Sequence, residues 1–452
     1  MKIVVVISDT LRRDYLGCYG NAWVRTPNID ALAAKATVCD KAYIGSFPTM
    51  PMRSDIVTGK YCFHTYGWAP LPPGSTTVQG ILQKEEFVTM MVTDHTQMLA
   101  PGMNYHQGFD GAEWIRGQAS DKWRTDDIEI KWPCAPEKLR NPERWFERYM
   151  RNISQRRDER DWFSPQTMQA ACTWLESNYT HEDFLLWVDT FDVHEPWTPP
   201  QYYVDMYDPG YKGEVVIYPR YDRTGYMTEA ELNHVRALYA GSITMMDKGF
   251  GRLLDKIETL GIWDETAIVF LSDHGWYHGE HGYIGKHTVL DPTKGWPFYE
   301  EVAHIPLIVK LPGQREGTRT SVLVQPVDLM PTLLELAGAS VPSDLHGGSI
   351  LPALRGEGPG PRTVAVSSGR LPDDPGILAY STVTDGEWTL IHPGANASPE
   401  LYRLSSDPAQ AENVIDARRD VAADLHHAYL EILKHIDTPP ERLSLRQQLG
   451  AD

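Results

Sequence analysis

Residues 3 to 7 form an uninterrupted apolar run, Ile-Val-Val-Val-Ile, that ends directly at Ser8 and Asp9. A strand that is apolar at every position, rather than at every second one, is typical of the centre of a parallel sheet covered by helices on both faces. The run therefore predicts an α/β fold. It also predicts a carboxylate, that of Asp9, at the carboxyl end of a central strand.

Four later segments have a similar character, being rich in β-branched or aromatic residues and separated by helical stretches. They span residues 87–92, 184–188, 267–271 and 306–309. Asp94, Asp189 and Asp273 follow three of them. Because ligands of open α/β sheets gather at the carboxyl ends of the strands, we expect these three aspartates to converge with Asp9.

The strongest helical pattern runs from about residue 229 to 260, where apolar residues recur in steps of three and four. Thr228 and Glu231 match a capping box, and Gly261 stands where a helix commonly ends. A shorter helix is predicted after Thr26-Pro27. The whole pattern predicts a large, mostly parallel sheet flanked by helices.

Changes of composition along the chain predict its division into parts. Residues 111–165 are rich in Trp, Arg, Asp and Glu with little periodicity, which predicts an insertion or lid on a catalytic unit spanning residues 1–355. A proline- and glycine-rich stretch at 351–361 predicts a linker to a smaller C-terminal α+β region at 362–436. Residues 437–452 are polar and predict a tail or an oligomerisation arm.

The charge balance limits the classes of partner. Among 452 residues, 61 Asp and Glu oppose 42 Lys and Arg, which gives a formal charge of −19. Nucleic-acid binding needs a basic face, so we expect no nucleic-acid partner. The first apolar run is too short for a secretory signal or a membrane span, so we expect no membrane association and a cytoplasmic location. Five scattered cysteines without a C-x-x-C pair argue against disulfides and a thiolate zinc site.

The segment from Ser46 to Lys60 contains a candidate anion site. Pro51 suits the first turn of a helix, so Thr49 is expected just before a helix N-terminus, where unpaired N–H groups favour anions. Arg53, one turn later, could place a guanidinium beside the same anion. The alternative is that Thr49 only caps the helix.

Histidines near two of the predicted strand ends suggest a metal site and an acid. Asp273 and His274, a carboxylate and an imidazole in sequence, make a candidate site for a divalent ion such as Mg, Mn or Zn. His278 and His281 follow in the same glycine-rich loop, and their alternative is a hydrogen-bonded polar loop. His194, in a proline-stiffened segment, is a candidate acid for a leaving group, although a lone histidine is more often structural.

Taken together, these segments resemble the sulfatase branch of the alkaline phosphatase superfamily. The resemblance rests on several segments in order, namely the N-terminal strand with Asp9, Thr49 to Gly59, Asp273-His274-Gly, Gly285-Lys286, Val327-Asp-Leu-Met-Pro-Thr and Glu400-Leu-Tyr-Arg-Leu-Ser-Ser-Asp-Pro. Their order and spacing span most of the chain. The resemblance implies an alkaline phosphatase/sulfatase-like fold.

The resemblance also implies roles, residue by residue. It implies four ligands for a divalent metal ion, which are Asp9, Thr49, Asp273 and His274. Zn, Mn, Mg and Ca all remain open for the ion. Arg53 would hold the nucleophile region and stabilise charge, Lys286 would bind substrate oxygens, and His194 would act on the leaving group. Three further residues are candidates for binding substrate or a second metal: Asp94, His95 and His287.

The sequence departs from the sulfatase pattern at the nucleophile and at two other positions of the expected active site. Sulfatases carry a Cys or Ser that is converted to formylglycine, and this chain has Thr49 there. Thr10 replaces a second aspartate, and Thr93-Asp94-His95-Thr96 stands where sulfatases usually show Gly-Lys-Trp-His. Formylglycine hydrate expels sulfate by collapsing to the aldehyde. That route is closed to threonine, whose hydroxyl can still attack phosphorus in line.

The sequence therefore predicts a metal-dependent hydrolase of phosphate or phosphonate esters, in particular diesters, with Thr49 as the nucleophile. Its substrate would be a small anionic ester, and the chain would be similar to phosphonate monoester hydrolases and phosphodiesterases of the same superfamily. A sulfatase that acts without formylglycine is the alternative enzyme. A non-catalytic, sulfatase-like binding protein is the alternative of another class. A homo-oligomer is also left open.

Overall fold

A computed structural model describes residues 1–286, 295–394 and 397–449. Its strands are β1 (Lys2–Ser8), β2 (Thr37–Ala42), β3 (Val88–Thr93), β4 (Gly111–Trp114), β5 (Phe184–Thr190), β6 (Asp222–Arg223), β7 (Thr266–Ser272), β8 (Tyr277–His278), β9 (Tyr283–Gly285), β10 (Leu307–Lys310), β11 (Thr318–Val324), β12 (Ala365–Ser368), β13 (Ser381–Thr384), β14 (Trp388–His392) and β15 (Glu400–Arg403). Its α-helices are α1 (Pro27–Ala33), α2 (Thr49–Thr58), α3 (Val78–Lys84), α4 (Thr96–Leu99), α5 (Glu147–Ile153), α6 (Phe163–Asn178), α7 (Gln201–Val204), α8 (Glu229–Thr259), α9 (Glu300–Ala303), α10 (Leu329–Ala337), α11 (Leu351–Leu354), α12 (Arg419–His435) and α13 (Pro440–Ser444).

Eight strands form the main sheet, in the order β11-β2-β10-β7-β1-β5-β3-β4. The predicted strands at 87–92, 184–188, 267–271 and 306–309 are confirmed as β3, β5, β7 and β10. All pairs are parallel except those of β10, which runs antiparallel to both β2 and β7. The sheet is therefore mostly parallel, as predicted.

Strand β1 lies in the middle of this sheet, between β7 and β5. Its side chains alternate between two apolar cores: Val4 and Val6 enter the core that contains much of α6 and α8, while Ile3, Val5 and Ile7 enter the core that contains α2 and α10. All five side chains are fully buried. This two-sided burial is the reason why β1 needs an apolar residue at every position.

Helix α8 has 31 residues and begins with the predicted capping box. The Thr228 hydroxyl accepts a hydrogen bond from the Glu231 N–H at 3.2 Å, and the Glu231 carboxylate accepts one from the Thr228 N–H at 2.8 Å. Gly261 follows the helix with a φ of 73°, a conformation that suits glycine. The chain then enters β7, which ends at Asp273. Within the described ranges, no helix combines the length and the apolar character needed to cross a membrane.

Residues 111–165, predicted as an insertion or lid, are attached to the fold at both ends. Their first residues form β4, which pairs in parallel with β3 at the edge of the sheet. Further on, Leu139 forms a bridge with Pro219. The segment also contains two short 3-10 helices, a π-helical turn at Pro142–Phe146, the short helix α5 and the first residues of α6.

The C-terminal region is a small antiparallel sheet, β12-β13-β14-β15, with α12 packed on β13 and β14. The stretch 351–361, expected as a linker, begins with helix α11. Residues 437–449 fold back onto the molecule instead of hanging free. Arg442 in α13 donates to the His64 carbonyl at 2.7 Å, and Arg446 is almost fully buried. The proposed domain limits and an oligomerisation role for this segment stay predictions.

Candidate active site

Strand ends bring the predicted aspartates together, because β3, β5, β1 and β7 are neighbours in the sheet. Asp9 follows β1, Asp273 follows β7, and Asp189 lies near the end of β5. All three carboxylates lie within hydrogen-bonding or ion-pair distance of Arg53, and all are fully buried. Three of the four aspartates therefore converge, with a guanidinium at their centre, whereas Asp94 accepts its bonds from Thr190 and Phe191 instead.

The guanidinium of Arg53 faces these carboxylates. Its Nε and Nη2 donate to the two oxygens of Asp189 at 2.9 and 2.6 Å, and its Nη1 donates to Asp273 Oδ2 at 2.8 Å. Nη1 also donates to the Thr49 carbonyl at 3.0 Å and lies 3.2 Å from Asp9 Oδ2. We expected Arg53 beside a substrate anion. In the structure its donors are engaged by protein carboxylates, so it positions those groups.

Asp9, Asp273 and His274 form a buried group whose ligand atoms all lie within 4.8 Å of one another. Asp9 Oδ1 accepts a bond from the Thr10 hydroxyl at 2.7 Å, whereas Oδ2 is buried without a hydrogen bond. His274 Nδ1 donates to the Gly275 carbonyl at 2.9 Å, which leaves Nε2 to bind a ligand. Two carboxylates and one oriented imidazole suit a divalent metal ion.

The ionisation of this group supports the same assignment. Burial, together with the charge of Asp9, raises the pKa of Asp273 to about 8. Burial alone would raise the pKa of Asp9 too, but Arg53 and His95 hold that pKa well below its usual range. Burial and Lys286 lower the pKa of His274, so its ring is neutral at pH 7 and able to bind a metal. A dication here would favour the ionised form of Asp273.

Thr49 is the first residue of helix α2 and is almost fully buried. The sequence had placed it just before the helix. Pro48 occupies the cap position instead, so Thr49 does not merely cap α2. Its hydroxyl oxygen lies 3.3 Å from His274 Nε2, at the edge of the metal-binding group.

One cavity has a volume of about 390 Å³ and is lined by Thr49, His194 and Lys286. Lys286 Nζ lies 3.2 Å from His274 Nε2 and 3.4 Å from the Thr10 hydroxyl. His194 stacks on Phe191 with 4.0 Å between ring centres, and its Nδ1 donates to the Glu195 carbonyl at 2.6 Å. Burial and the charge of Lys286 hold the pKa of His194 well below its usual range. Without a ligand the protein therefore has a neutral His194.

The three additional candidates differ in position. Asp94 accepts bonds from the Phe191 N–H at 2.6 Å and the Thr190 hydroxyl at 3.3 Å, so it fixes the turn after β5. His95 is fully buried, with Nε2 at 3.3 Å from Asp9 Oδ2. Neither side chain borders the cavity of Thr49. His287 lies outside the described residues.

His278 and His281 belong to the surrounding structure. His278 is fully buried among aromatic rings, with 4.4 Å between its centre and that of Tyr239 and 5.4 Å to that of Trp197. His281 stacks on Tyr299 at 3.8 Å between ring centres. Neither belongs to the metal-binding group. Both rings pack against aromatic side chains, and neither ring nitrogen of His278 has a hydrogen bond in the described structure, so the hydrogen-bonded polar loop expected as the alternative is not what holds His278.

Sequence reasoning missed one side of the cavity, where Arg140 and Tyr221 lie. Arg140 belongs to the aperiodic segment 111–165, in which no pattern distinguishes one arginine from another. Glu195, which accepts a hydrogen bond from the Tyr221 hydroxyl, directly follows His194, and that adjacency was the only available signal. A second cavity of about 340 Å³ meets the first at Pro48 and Trp68.

The sequence matches a family model described as Sulfatase over residues 2–339. The chain belongs to the sulfatase family. Membership makes it a hydrolase of ester bonds, and enzymes of this family and fold use a divalent metal ion. A second model, described as N-sulphoglucosamine sulphohydrolase, C-terminal, matches residues 279–435 of this sulfatase-family chain.

Similar proteins include both sulfatases and phosphonate hydrolases. The N-acetylglucosamine-6-O-sulfatase of Bacteroides thetaiotaomicron is 24% identical, with 91% of this chain and 82% of the relative covered. The phosphonate monoester hydrolase of Agrobacterium radiobacter superposes with a TM-score of 0.75 at 21% identity, covering 96% of this chain and 95% of that one. A protein solved with its substrate D-glucosamine-2-N,6-O-disulfate gives a TM-score of 0.74 at 20% identity, covering 97% and 99%. At these identities the structural likeness establishes the alkaline phosphatase/sulfatase-like fold.

Proposed function

We propose that this sulfatase-family enzyme hydrolyses phosphate or phosphonate esters, in particular diesters, with Thr49 as the nucleophile. The observation that carries the proposal is the hydroxyl of Thr49 at 3.3 Å from His274 Nε2, in the position that resembles the formylglycine site of sulfatases. A threonine side chain cannot be converted to that aldehyde. The reacting group must therefore be an alcohol.

An alcohol nucleophile suits phosphorus better than sulfur. Attack by the Thr49 oxygen on phosphorus forms a P–O bond as the bond to the leaving group breaks, and water then opens the phosphothreonine. The same attack on a sulfate ester would form a sulfated threonine. That intermediate cannot release sulfate by collapse to an aldehyde, as formylglycine does.

The two adjoining cavities support a substrate with two organic groups. They meet at Pro48 and Trp68, next to Thr49, and have volumes of about 390 and 340 Å³. A diester or a phosphonate monoester carries two organic substituents on phosphorus, whereas a sulfate or phosphate monoester carries one. The pair of cavities offers room for each substituent.

The residues around Thr49 divide the remaining tasks. Asp9, Asp273 and His274 would hold the divalent ion, which when bound polarises an ester oxygen as a Lewis acid. Arg53 orients the carboxylates, and Lys286 brings a positive charge to the ester oxygens. His194 is neutral in the free enzyme, so it must gain a proton before it can protonate the leaving oxygen. An anionic ester nearby raises its pKa and favours that gain.

A sulfatase that uses an unmodified threonine is the second candidate. It is favoured by the curated relative that is named as a sulfatase and by the C-terminal match to an N-sulphoglucosamine sulphohydrolase model. In this case the same residues would surround a sulfate ester.

Four substrates that share 4-nitrophenolate as the leaving group distinguish these candidates. They are 4-nitrophenyl sulfate, 4-nitrophenyl phosphate, bis(4-nitrophenyl) phosphate and 4-nitrophenyl phenylphosphonate. With the purified protein and added Zn²⁺ or Mn²⁺, we expect kcat/KM to be highest for the diester or the phosphonate. A dominant sulfatase rate would reject the proposal. Hydrolysis of none of the four would favour a binding protein.

Replacement of the nucleophile gives the matched test. We expect Thr49→Ala to lower kcat by at least about 10³-fold, because the attacking oxygen is lost. Thr49→Ser retains that oxygen and should keep measurable turnover. Metal content measured by elemental analysis should stay stoichiometric in Thr49→Ala, since Asp9, Asp273 and His274 remain. Unchanged turnover in Thr49→Ala would exclude this residue as the nucleophile.

A further inference from the structure

A second cation, Arg140, lines the cavity that Thr49, His194 and Lys286 share. Its backbone is fixed to a neighbouring segment. The Arg140 N–H donates to the Tyr218 carbonyl at 3.0 Å, and the Arg220 N–H donates back to the Lys138 carbonyl at 2.9 Å. The position of Arg140 at the cavity is therefore held by paired main chains.

Aromatic rings hold the side chain of Arg140. The guanidinium carbon lies 3.9 Å from the centre of the Tyr221 ring and 5.6 Å from that of Trp145. Only 17% of the side chain is exposed. Contact with ring faces fixes the plane of a guanidinium and leaves its N–H groups available.

Arg140 retains hydrogen-bond donors for a ligand. Within the described part of the chain, the one carboxylate near its guanidinium is Glu195, with 3.5 Å between Nη1 and Oε1. Glu195 is shared, since it also accepts from the Tyr221 hydroxyl and its Oε2 lies 3.1 Å from His194 Nδ1. A guanidinium has five N–H donors, and a contact of 3.5 Å engages one of them weakly.

The charge of the cavity lining is positive. Lys286 and Arg140 both border it, and no Asp or Glu does so among the residues that the structure describes. This contrasts with the net charge of −19 on the chain. Lys286 lies against His274, so its charge serves the reacting ester. Arg140 has no contact with Asp9, Asp273 or His274, so the donors that Glu195 does not engage can bind another group.

We propose that Arg140 forms a subsite for a second anionic group, an oxyanion such as a carboxylate, carried by an organic substituent of the ester. The planar guanidinium suits two-point contact with such a group. This inference rests on the proposed function for the reacting centre and narrows its substrates to esters with an additional negative charge.

A matched pair of substrates tests the subsite: 4-nitrophenyl phenylphosphonate and the same ester with a carboxylate on the phenyl ring. We expect the wild-type enzyme to prefer the carboxylated ester by about 10-fold in kcat/KM, mainly through KM, because a charge-assisted bond is gained. Arg140→Gln should reduce this ratio to about 1, and Arg140→Lys should restore part of it. Arg144→Gln, an exposed arginine of the same segment, is the control for the loss of one charge and should keep the ratio.

Two further measurements can disprove the proposed subsite. Loss of Arg140 removes one of the cations that face Glu195, so the double variant Arg140→Gln/Glu195→Gln is measured as well and should show the same loss of preference. Calorimetric binding of phenylphosphonate and 4-carboxyphenylphosphonate needs no turnover. Equal affinity of the wild type for these two ligands, or an unchanged ratio in Arg140→Gln, would overturn the subsite. Should only aryl sulfates be hydrolysed, a preference for carboxylated aryl sulfates would support it even though the phosphorus proposal had failed.

Discussion

Arg53 holds three buried carboxylates that arrive from three different strands, Asp9 from β1, Asp189 from β5 and Asp273 from β7. Removing the guanidinium takes away the hydrogen-bond or ion-pair partner that all three buried groups share. We expect Arg53→Gln to lower the free energy of unfolding by about 3–5 kcal/mol. Urea denaturation in the presence of a chelator measures this effect. Arg53→Lys should recover part of the loss, and a change below about 1 kcal/mol in Arg53→Gln would contradict the assigned role.

His95 is a second residue whose importance depends on one contact. Its Nε2 lies 3.3 Å from Asp9 Oδ2, and in the described structure neither ring nitrogen has a hydrogen bond. A histidine beside a metal-binding carboxylate orients that carboxylate. We therefore expect His95→Ala to weaken Zn²⁺ or Mn²⁺ binding by about 10- to 100-fold. Titration of the apoprotein by calorimetry measures this affinity, and wild-type affinity in His95→Ala would refute the role.

At the scale of the elements, the small C-terminal sheet is sensitive to acid through His392 at the end of β14. Its Nδ1 accepts from the Gly394 N–H at 3.1 Å and its Nε2 donates to the Gln448 carbonyl at 2.9 Å. The bond from Gly394 needs the neutral ring, because its acceptor is the unprotonated Nδ1. Burial lowers the pKa of His392 to about 3, and protonation would break the bond from Gly394.

The sign of the pH dependence follows from this lowered pKa. The unfolded chain binds a proton at about pH 6.5, whereas the folded chain does not until about pH 3, so stability falls as the pH falls between these values. His392 should contribute about 1.4 kcal/mol per pH unit to that fall. His392→Gln is the neutral control and should show a smaller slope in denaturation curves measured from pH 7 to pH 5. An equal slope in both proteins would contradict the assignment.

The central strands that the sequence predicted share one property, burial on both faces. β1, β5 and β7 are apolar or buried throughout, so their composition alone marks them as central strands. β11 is the edge of the sheet and its first residues, Thr318 and Arg319, are exposed. β2 contains Asp40 and Lys41. Such strands form because a neighbour offers backbone groups for pairing, and a pattern of side chains does not reveal that.

The active site was predictable to the extent that its residues adjoin strand ends. Asp9, Asp273 and His274 could be named from that position and from the resemblance to sulfatases. The Arg140, Glu195 and Tyr221 contacts could not, because they depend on how residues near 140 pack on residues near 220. The direction of the Arg53 side chain was also hidden, since it depends on Asp189 from a distant strand.

At the scale of the whole molecule, the formal charge of −19 acts against the approach of an anionic substrate. The repulsion is long-range and is screened as salt shortens the Debye length, whereas the buried cations of the cavity are screened less. We expect kcat/KM to rise when the ionic strength increases from about 0.02 M to about 0.2 M. The rise should be larger for the carboxylated phosphonate than for the parent ester. A fall in kcat/KM for both would show that the local positive charge dominates at long range as well. The cytoplasmic location and the oligomeric state stay predictions.

The central position of β1 also has a consequence for synthesis on the ribosome. Val4 pairs with Leu186 of β5 and with Ile268 of β7, so its two neighbours are translated about 180 and about 260 residues later. At about 5–20 residues per second, an apolar strand stays uncovered for roughly ten seconds to a minute. During that interval the nascent chain needs protection from aggregation. The yield of this enzyme in a foreign host should therefore follow the supply of chaperones that bind nascent chains.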